Sequence, residues 1–291
     1  MKGLLRLLGA LCLCAIALAQ GLFADSPKEV ATKLGIKELR FAAIPVVGSG
    51  SLEEFWKPVI THLQKEFGVK ITMKYVGDYA ALITGMQHKH IDIAYLGPES
   101  YVQAATRAGA VALVTEKSAS GIAGYHSIII TKKGSGLNTI EDLKGKTWAF
   151  TDPNSTSGTL VPSLHFKKLG IDPQKYFSKV IYSGGHEASI LSVKAGRLDG
   201  ASSNDLDFEK ALGRLYKAED FNVIWTSDLI VGSAIAGRKD LPNELLMAIQ
   251  EALLGLNEDK NALAQMKNGG FVKAQDSDYD VIRELIKAKG K

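Results

Sequence analysis

Short apolar segments rich in Val, Ile and aromatic residues recur along the chain, separated by polar or glycine-containing turns. Segments of this length and composition are typical of buried β-strands. The pattern predicts ten strands, over 39–47, 70–76, 91–96, 110–115, 127–132, 147–151, 179–182, 198–202, 222–225 and 233–238.

Between these strands, apolar residues recur every three or four positions, which places them on one face of a helix. Two such stripes are Trp56, Ile60, Leu63, Phe67 and Tyr79, Leu82, Ile83, Met86. Further helices are predicted over 98–108, 157–169, 187–195, 205–217, 242–256 and 277–289.

The alternation of strands and helices indicates an α/β protein with mostly parallel sheets. Ten strands are many for one sheet, so two sheets in two lobes are the expected arrangement. Counting strands places the two passages of the chain between the lobes near 123–127 and 226–232.

The first 24 residues differ from the rest of the chain. Lys2 and Arg6 precede an apolar run of 13 residues, Leu7–Ala19, and small residues follow. This layout predicts a secretory signal peptide over 1–24, cleaved after Ala19 or after Ala24. The alternative is a membrane anchor, but the run is shorter than the roughly 20 residues that span a bilayer.

Composition narrows the function further. The chain has 291 residues with 35 Lys and Arg against 31 Asp and Glu, and removing the leader lowers the net charge from +4 to +2. This balance gives no basic field that would select nucleic acid. Both cysteines, Cys12 and Cys14, lie in the leader, so the mature chain has no thiol for a disulfide or a thiolate metal site. Leucine precedes each of them, which argues against lipid attachment.

Two enzyme motifs begin in the sequence, but each lacks a residue that it requires. Ile140 replaces the first glycine that a phosphate-binding P-loop would need before Gly145-Lys146-Thr147. Ile190 replaces the second histidine of a zinc-protease helix that would start at His186. We therefore expect no enzyme activity, no cofactor and no metal.

One stretch carries three consecutive hydroxyl residues. A predicted strand ends at Thr151, a turn follows, and Ser155, Thr156 and Ser157 precede an amphipathic run. Hydroxyls together with the unpaired amides of a helix N-terminus can bind a tetrahedral oxyanion. One hydroxyl would also suffice as an ordinary helix cap, and the residue pattern leaves both interpretations open.

A second stretch repeats this arrangement. A predicted strand ends at Tyr182, Gly184-Gly185 follows, and His186 begins the next helix. There His186 could donate a hydrogen bond to an anion, or it could be a structural residue.

These stretches resemble one known family. The run Asp152-Pro-Asn-Ser-Thr-Ser-Gly158 is similar to the binding loop of periplasmic phosphonate- and phosphite-binding proteins of ABC importers. Further similar segments lie in the family's order: 78–80, 91–97, Gly124-Tyr125, 185–187, 270–273 and 277–279.

The resemblance implies a fold and a set of ligand-binding residues. The fold would be a type II periplasmic binding protein, with two α/β lobes, 25–125 plus 229–291 and 126–228, joined by two crossover strands. Ligand-binding residues would be Ser155, Thr156, Ser157, Tyr79, Tyr125 and His186, with Tyr95, Leu96 and Ser233 as further candidates. The helical spacing of Tyr79 leaves a core role open for that residue.

The resemblance also bears on the ligand. Members that bind 2-aminoethylphosphonate carry two carboxylates where this chain has Leu206 and Ser233. Asp205 instead aligns with an acid of the phosphite and hypophosphite binders, although it could also be a helix N-terminal acid. We therefore favour phosphite, hypophosphite or methylphosphonate, with larger phosphonates such as 2-aminoethylphosphonate as the alternative.

The resulting hypothesis is a periplasmic, monomeric solute-binding protein. It would close its lobes on the oxyanion and deliver it to an ABC permease. A ligand sensor for a signalling partner and an exported phosphoesterase are the other classes considered.

Overall fold

The structure, a computed structural model, describes residues 25–45 and 49–290. The predicted leader lies outside the described residues, as does the end of the first predicted strand at 46–47. Within the described ranges, no helix combines the length and the apolar character needed to cross a bilayer.

The described residues form thirteen strands, which lie in two large sheets and one small one. They are β1 (Glu38–Ala43), β2 (Lys70–Lys74), β3 (Ile93–Leu96), β4 (Ala110–Glu116), β5 (Gly124–Tyr125), β6 (Ser127–Lys132), β7 (Thr147–Phe150), β8 (Lys179–Tyr182), β9 (Gly200–Asn204), β10 (Phe221–Thr226), β11 (Ile230–Val231), β12 (Ala234–Arg238) and β13 (Phe271–Lys273).

The two large sheets share one topology. The strand order is β2-β1-β3-β12-β4-β13 in lobe 1 and β8-β7-β9-β6-β10 in lobe 2. In each sheet one inserted strand, β12 or β6, runs opposite to both of its neighbours, and the edge strand β13 also pairs antiparallel with β4. The other strands of each sheet run in one direction, so the sheets are mixed but keep the mostly parallel arrangement that the alternation predicts. The inserted strand arrives directly from a crossing rather than through a crossover helix, so it enters the sheet in the opposite direction.

The two lobes are joined by two crossover strands. β5 and β11 pair antiparallel with each other, Ile230 opposite Tyr125. The chain enters lobe 2 at β6, directly after β5, and returns to lobe 1 at β12, directly after β11. The residue bounds of the lobes, 25–125 plus 229–291 and 126–228, stay a prediction.

Helices cover the faces of the sheets. They are α1 (Pro27–Lys33), α2 (Ser49–Phe67), α3 (Tyr79–Gln87), α4 (Pro98–Ala108), α5 (Val161–Lys168), α6 (Pro173–Tyr176), α7 (His186–Lys194), α8 (Asp205–Ala211), α9 (Asn243–Gly255), α10 (Lys260–Gln265) and α11 (Asp280–Lys289).

Most predicted helices are present, with two local differences. The helix predicted over 205–217 ends at Ala211, because Leu212 has an extended ψ of 137° that stops the helical hydrogen bonding. The helix predicted over 157–169 begins with a π-helical turn, Thr156–Leu160, before α5 continues it. The short α1, α6 and α10 and the edge strand β13 were not predicted.

Each lobe has its own hydrophobic core. In lobe 1 the predicted stripes are buried, with Trp56, Leu63 and Phe67 on α2 inaccessible to solvent. In lobe 2 the residues of β7 alternate: Ala149 packs into the cluster on one face of the sheet, and Trp148 into the cluster on the other. This alternation is what a strand covered on both faces requires. Each lobe thus has a packed core that can hold the residues of a site between them.

Candidate functional site

A small cavity lies between the lobes and is lined by residues from both. The centre of a water-sized sphere can move in about 20 Å³ there, whereas a single water needs roughly 10–15 Å³. The cavity therefore suits one compact group. Its lining comprises Ile44, Tyr79, Tyr95, Gly97, Glu116, Tyr125, Ser155, Thr156, Ser157, His186, Asn204, Leu206, Asp207 and Ser233.

The three predicted hydroxyl residues form one wall of the cavity at the π-helical turn. Ser155 is the N-cap, and its Oγ accepts a hydrogen bond from the amide of Gly158 at 3.0 Å. The carbonyl of Ser157 accepts from Ser127 Oγ on β6, at 2.6 Å. The first amides of a helix have no acceptor inside it, so those of Thr156 and Ser157 are available to an anion.

Gly158 allows this turn to pack against the sheet. A Cβ at this position would overlap with the side chain of Thr151. The carbonyl of Gly158 also accepts a hydrogen bond from Ser202 Oγ on β9, at 2.6 Å. The turn is thus fixed to lobe 2 through its carbonyl groups.

Thr156 contacts the opposite lobe as well as the cavity. Its Oγ1 accepts a hydrogen bond from the amide of Glu99, at the start of α4, at 2.7 Å. The second of the three hydroxyls therefore joins the lobes directly, which a helix cap does not require.

Three tyrosines from lobe 1 and the crossover face the hydroxyl wall. Tyr79 is 1% exposed, and its hydroxyl has no hydrogen-bond partner in the described part of the chain. Burial raises the pKa of Tyr79, of Tyr95 and of Tyr125 above the ordinary value of a phenol, so all three are neutral donors. The hydroxyl of Tyr95 already donates to Glu116, whereas the hydroxyl of Tyr79 lies beside Ser155 and that of Tyr125 beside Ser157 and Thr156. Tyr79 is both a core residue and a cavity residue.

His186 lies at the first position of α7, as predicted, and lines the cavity. Its Nε2 is 3.4 Å from Ser155 Oγ and its Nδ1 is 3.2 Å from Ser203 Oγ. Burial lowers the pKa of His186, which favours the neutral ring with one N–H to donate. The ring therefore orients the hydroxyl wall whether or not it reaches a ligand.

Two predicted site residues do not line the cavity. The carboxylate of Asp205 accepts from the backbone amides of His126 and Leu206, at 2.8 and 2.9 Å, and so ties the start of α8 to the crossover. Leu96 is a fully buried residue of β3 that pairs with Ala234. The other two further candidates, Tyr95 and Ser233, do line the cavity.

The cavity contains two carboxylates that the sequence interpretation missed. The carboxylate of Asp207, two residues after Asp205, accepts a hydrogen bond from Asn204 Nδ2 at 2.8 Å. The amide of Asp207 donates to Asn204 Oδ1 at 2.7 Å. Glu116 ends β4 and accepts from Tyr95. The signal for Asp207 was present in the Asn204-Asp205-Leu206-Asp207 run, where Asn204 is the N-cap. The signal for Glu116 was an acidic residue directly after the strand predicted over 110–115.

One buried cation compensates these carboxylates. Lys210 Nζ on α8 is 3.2 Å from Glu116 Oε2 and 3.9 Å from Asp207 Oδ1. Burial by itself would lower the pKa of Lys210, but Glu116 and Asp207 together raise it. Lys210 is therefore charged, and it lies behind the cavity rather than in its lining.

His88 and His90 lie close to Asp92 in the sequence, but two arginines bind the carboxylate of Asp92. Asp92 receives hydrogen bonds from Arg40 at 2.7 Å and from Arg238 at 2.8 Å. Among the residues that the structure describes, no three His, Cys, Asp or Glu side chains come together as metal ligands.

Comparisons with known proteins point to one family. Residues 41–279 match the family model described as "ABC transporter, phosphonate, periplasmic substrate-binding protein". A phosphonates-binding periplasmic protein of Escherichia coli K12 is 32% identical over 86% of this chain and 76% of its own. A protein named phosphate-import protein from Mycolicibacterium smegmatis is 28% identical over 95% of this chain and 94% of its own.

A solved structure agrees with these matches. The binding-protein component of an ABC phosphonate transporter from Pseudomonas aeruginosa superposes with a TM-score of 0.82 at 30% identity. The superposition covers 87% of each chain.

Proposed function

The chain belongs to the family of periplasmic phosphonate-binding proteins of ABC transporters, and from that premise we propose that it captures a small phosphorus oxyanion. Its members are substrate-binding proteins of transport, not enzymes. The preferred ligands are phosphite, hypophosphite or methylphosphonate.

The observation that carries this proposal is the pairing of two features across one small cavity. Among the described residues the hydroxyl of Tyr79 is buried without a hydrogen-bond partner, and a buried donor without an acceptor costs about 1–3 kcal/mol. Opposite it lie Ser155, Thr156 and Ser157, with two free amides at a helix start. The several oxygens of one oxyanion between these groups could accept hydrogen bonds from them together.

The size and lining of the cavity support a small ligand. A space of about 20 Å³ for the centre of a water-sized sphere favours a compact ligand over one that carries an aminoethyl chain. Ile44 and Leu206 form apolar parts of the lining. A P–H or P–CH₃ group facing them would lose no hydrogen bond, whereas a fourth oxygen would.

Phosphate is the second candidate, because one relative is named for phosphate import. The carboxylate of Asp207 lines the cavity and could accept a hydrogen bond from a P–OH group. The same acceptor serves singly protonated phosphite or methylphosphonate, so it does not by itself favour phosphate.

The proposed mechanism is capture by lobe closure. Ser155–Ser157 from lobe 2 and Tyr79 from lobe 1 contribute to the same cavity, so full contact with a ligand requires both lobes. The ligand would stabilise the closed state by its additional contacts there. The closed form would then dock on the permease and release the anion. A monomeric state and cleavage of the leader remain predictions.

The test is calorimetry on the mature chain with phosphite, hypophosphite, methylphosphonate, ethylphosphonate, 2-aminoethylphosphonate, phosphate and sulfate. We expect the first three to bind more tightly than the last four. Tighter binding of phosphate than of phosphite would replace the proposed ligand, and no binding of any compound would reject the proposal.

A further inference from the structure

A buried group of charges lies between the lobes, behind the ligand cavity. Lys210 of lobe 2 is 6% exposed and Glu116 of lobe 1 is 3% exposed, and their charged atoms are 3.2 Å apart. Asn268 Nδ2 of lobe 1 donates to the same Glu116 oxygen at 3.3 Å. Asp207 completes the group, with its Oδ1 3.9 Å from Lys210 Nζ. We call these four residues the cleft cluster.

Lobe 1 also covers the far side of the ammonium group. The ring of Phe55 on α2 lies 5.4 Å from Lys210 Nζ, within the range of a cation–π contact. Lys210 is thus enclosed by Glu116 and Phe55 of one lobe and by Asp207 of its own. Any opening of the cleft separates the ammonium from Glu116 and exposes it to water.

A second lysine joins the lobes beside the cleft cluster. Lys267 of lobe 1 donates to the carbonyls of Glu209 and Leu212 of lobe 2, at 3.0 and 2.8 Å. These carbonyls lie at the C-terminal end of α8, where a cation is favoured. Lys267 has a φ of 48°, an uncommon conformation for a residue with a side chain. Two contacts from lobe 1 therefore hold α8 in the closed arrangement.

The cleft cluster also determines the charge that a ligand meets. The described lining of the cavity holds the carboxylates of Glu116 and Asp207 but no Lys or Arg. Two uncompensated carboxylates would repel an anion. Lys210 contacts both carboxylates without lining the cavity, so its positive charge reduces the repulsion between them and an anion.

We infer that Lys210 is a positioning residue that couples lobe closure to the binding of an anion, through its ion pair with Glu116. This inference rests on the proposed function. Closure brings the ammonium group of Lys210 to Glu116. The carboxylates paired with Lys210 then repel an anion in the cavity less strongly. Without Lys210, closure would bury two repelling carboxylates beside the ligand.

The test compares Lys210→Met, Glu116→Gln, the double variant and Lys194→Met, using phosphite and phosphate as probes in calorimetry and stopped-flow dissociation. Lys194 is the matched control, since its ion pair with Asp220, at 3.1 Å, lies wholly within lobe 2. We expect K210M to weaken binding at least about tenfold, mainly through faster dissociation, because the pair forms only on closure.

The double variant separates charge compensation from a structural role. E116Q keeps an acceptor for Tyr95 but removes one carboxylate, so the double variant should bind within about threefold of E116Q alone. K194M should bind as the wild type does. If K210M fails to fold, the inference is decided by whether the double variant folds and binds the anion as E116Q does.

Unaltered binding by K210M would overturn the inference, as would a double variant that binds more than about threefold more weakly than E116Q. In both cases the wild type still binds and the proposed function stands. A wild type that binds none of the tested anions would instead reject the proposed function and the inference together.

Discussion

The backbone amide of Glu99, in lobe 1, donates a hydrogen bond to Oγ1 of Thr156, in lobe 2, over 2.7 Å. Thr156 also lines the cavity between the lobes. A single hydroxyl thus takes part in both lobe closure and the proposed ligand site, and this link makes the closed state sensitive to one atom.

Replacing Thr156 by Val removes that atom at nearly constant volume. The buried amide of Glu99 then loses its acceptor in the closed state, and ligand affinity should fall by about 1–3 kcal/mol. Calorimetry with phosphite measures the loss. Thr106→Val is the control, because Thr106 Oγ1 donates to Val102 within α4, and its affinity should not change.

Tyr79→Phe should change affinity and stability in different directions. The hydroxyl has no partner in the described residues, so its removal should leave the unliganded melting temperature unchanged or raised. Binding of phosphite should weaken by about 1–3 kcal/mol, because a ligand oxygen loses its donor.

Tyr101→Phe provides the contrast to Tyr79→Phe. The hydroxyl of Tyr101 donates to Asp276 at 2.8 Å, away from the cavity. This variant should lose stability and keep its affinity. If Tyr79→Phe behaved in that way instead, Tyr79 would be only a core residue.

Gly185→Ala should hinder lobe closure. A Cβ on Gly185, in lobe 2, would lie 2.7 Å from the carbonyl oxygen of Pro45, in lobe 1. Overlap of this kind costs about 1–3 kcal/mol, and it arises only when the cleft is closed. Ligand affinity should therefore fall while the melting temperature without ligand stays nearly constant. Gly77→Ala is the control, because its added Cβ meets nothing within 4 Å.

Glu99 should make stability depend on pH. Burial raises the pKa of its carboxyl group to about 7, and its Oε2 has no hydrogen-bond partner among the described residues. A group whose pKa is higher in the folded state favours folding at low pH, where it is neutral. As pH rises from about 4.5 to 7 the unfolded chain ionises first, and about 3 kcal/mol of stability should be lost.

Glu99→Gln keeps the side chain neutral at every pH. It should therefore remove most of this loss and stabilise the protein above pH 7, as measured by urea unfolding across the range. An unchanged pH profile in this variant would place the ionising group elsewhere.

The sequence predicted the hydroxyl wall because its signal is local. Ser155, Thr156 and Ser157 are consecutive and follow a strand, so their chemistry could be read without knowing their neighbours in space. The cleft cluster depends on contacts across the lobes. Glu116 and Lys210 are far apart in the sequence, and neither belongs to a local motif.

The position of Asp205 outside the cavity has a different cause. Three polar residues within Asn204–Asp207 could each begin or follow a helix start, and one residue of register decides which side chain faces the cavity. Strand β9 continues to Asn204 rather than ending at residue 202 as predicted. That extension turns Asn204 and Asp207 towards the cavity and leaves Asp205 at the crossover.

The inserted strands affect the order in which the lobes can fold. All five strands of the lobe 2 sheet come from one continuous segment, β6 to β10, so this sheet can form as soon as that segment is available. The lobe 1 sheet has β12 in its interior, between β3 and β4. β1, β2 and β3 pair directly, but β4 can join them only through β12, more than a hundred residues later, which gives lobe 1 the higher contact order. During synthesis from the N-terminus, the lobe that begins first is the lobe that is completed last.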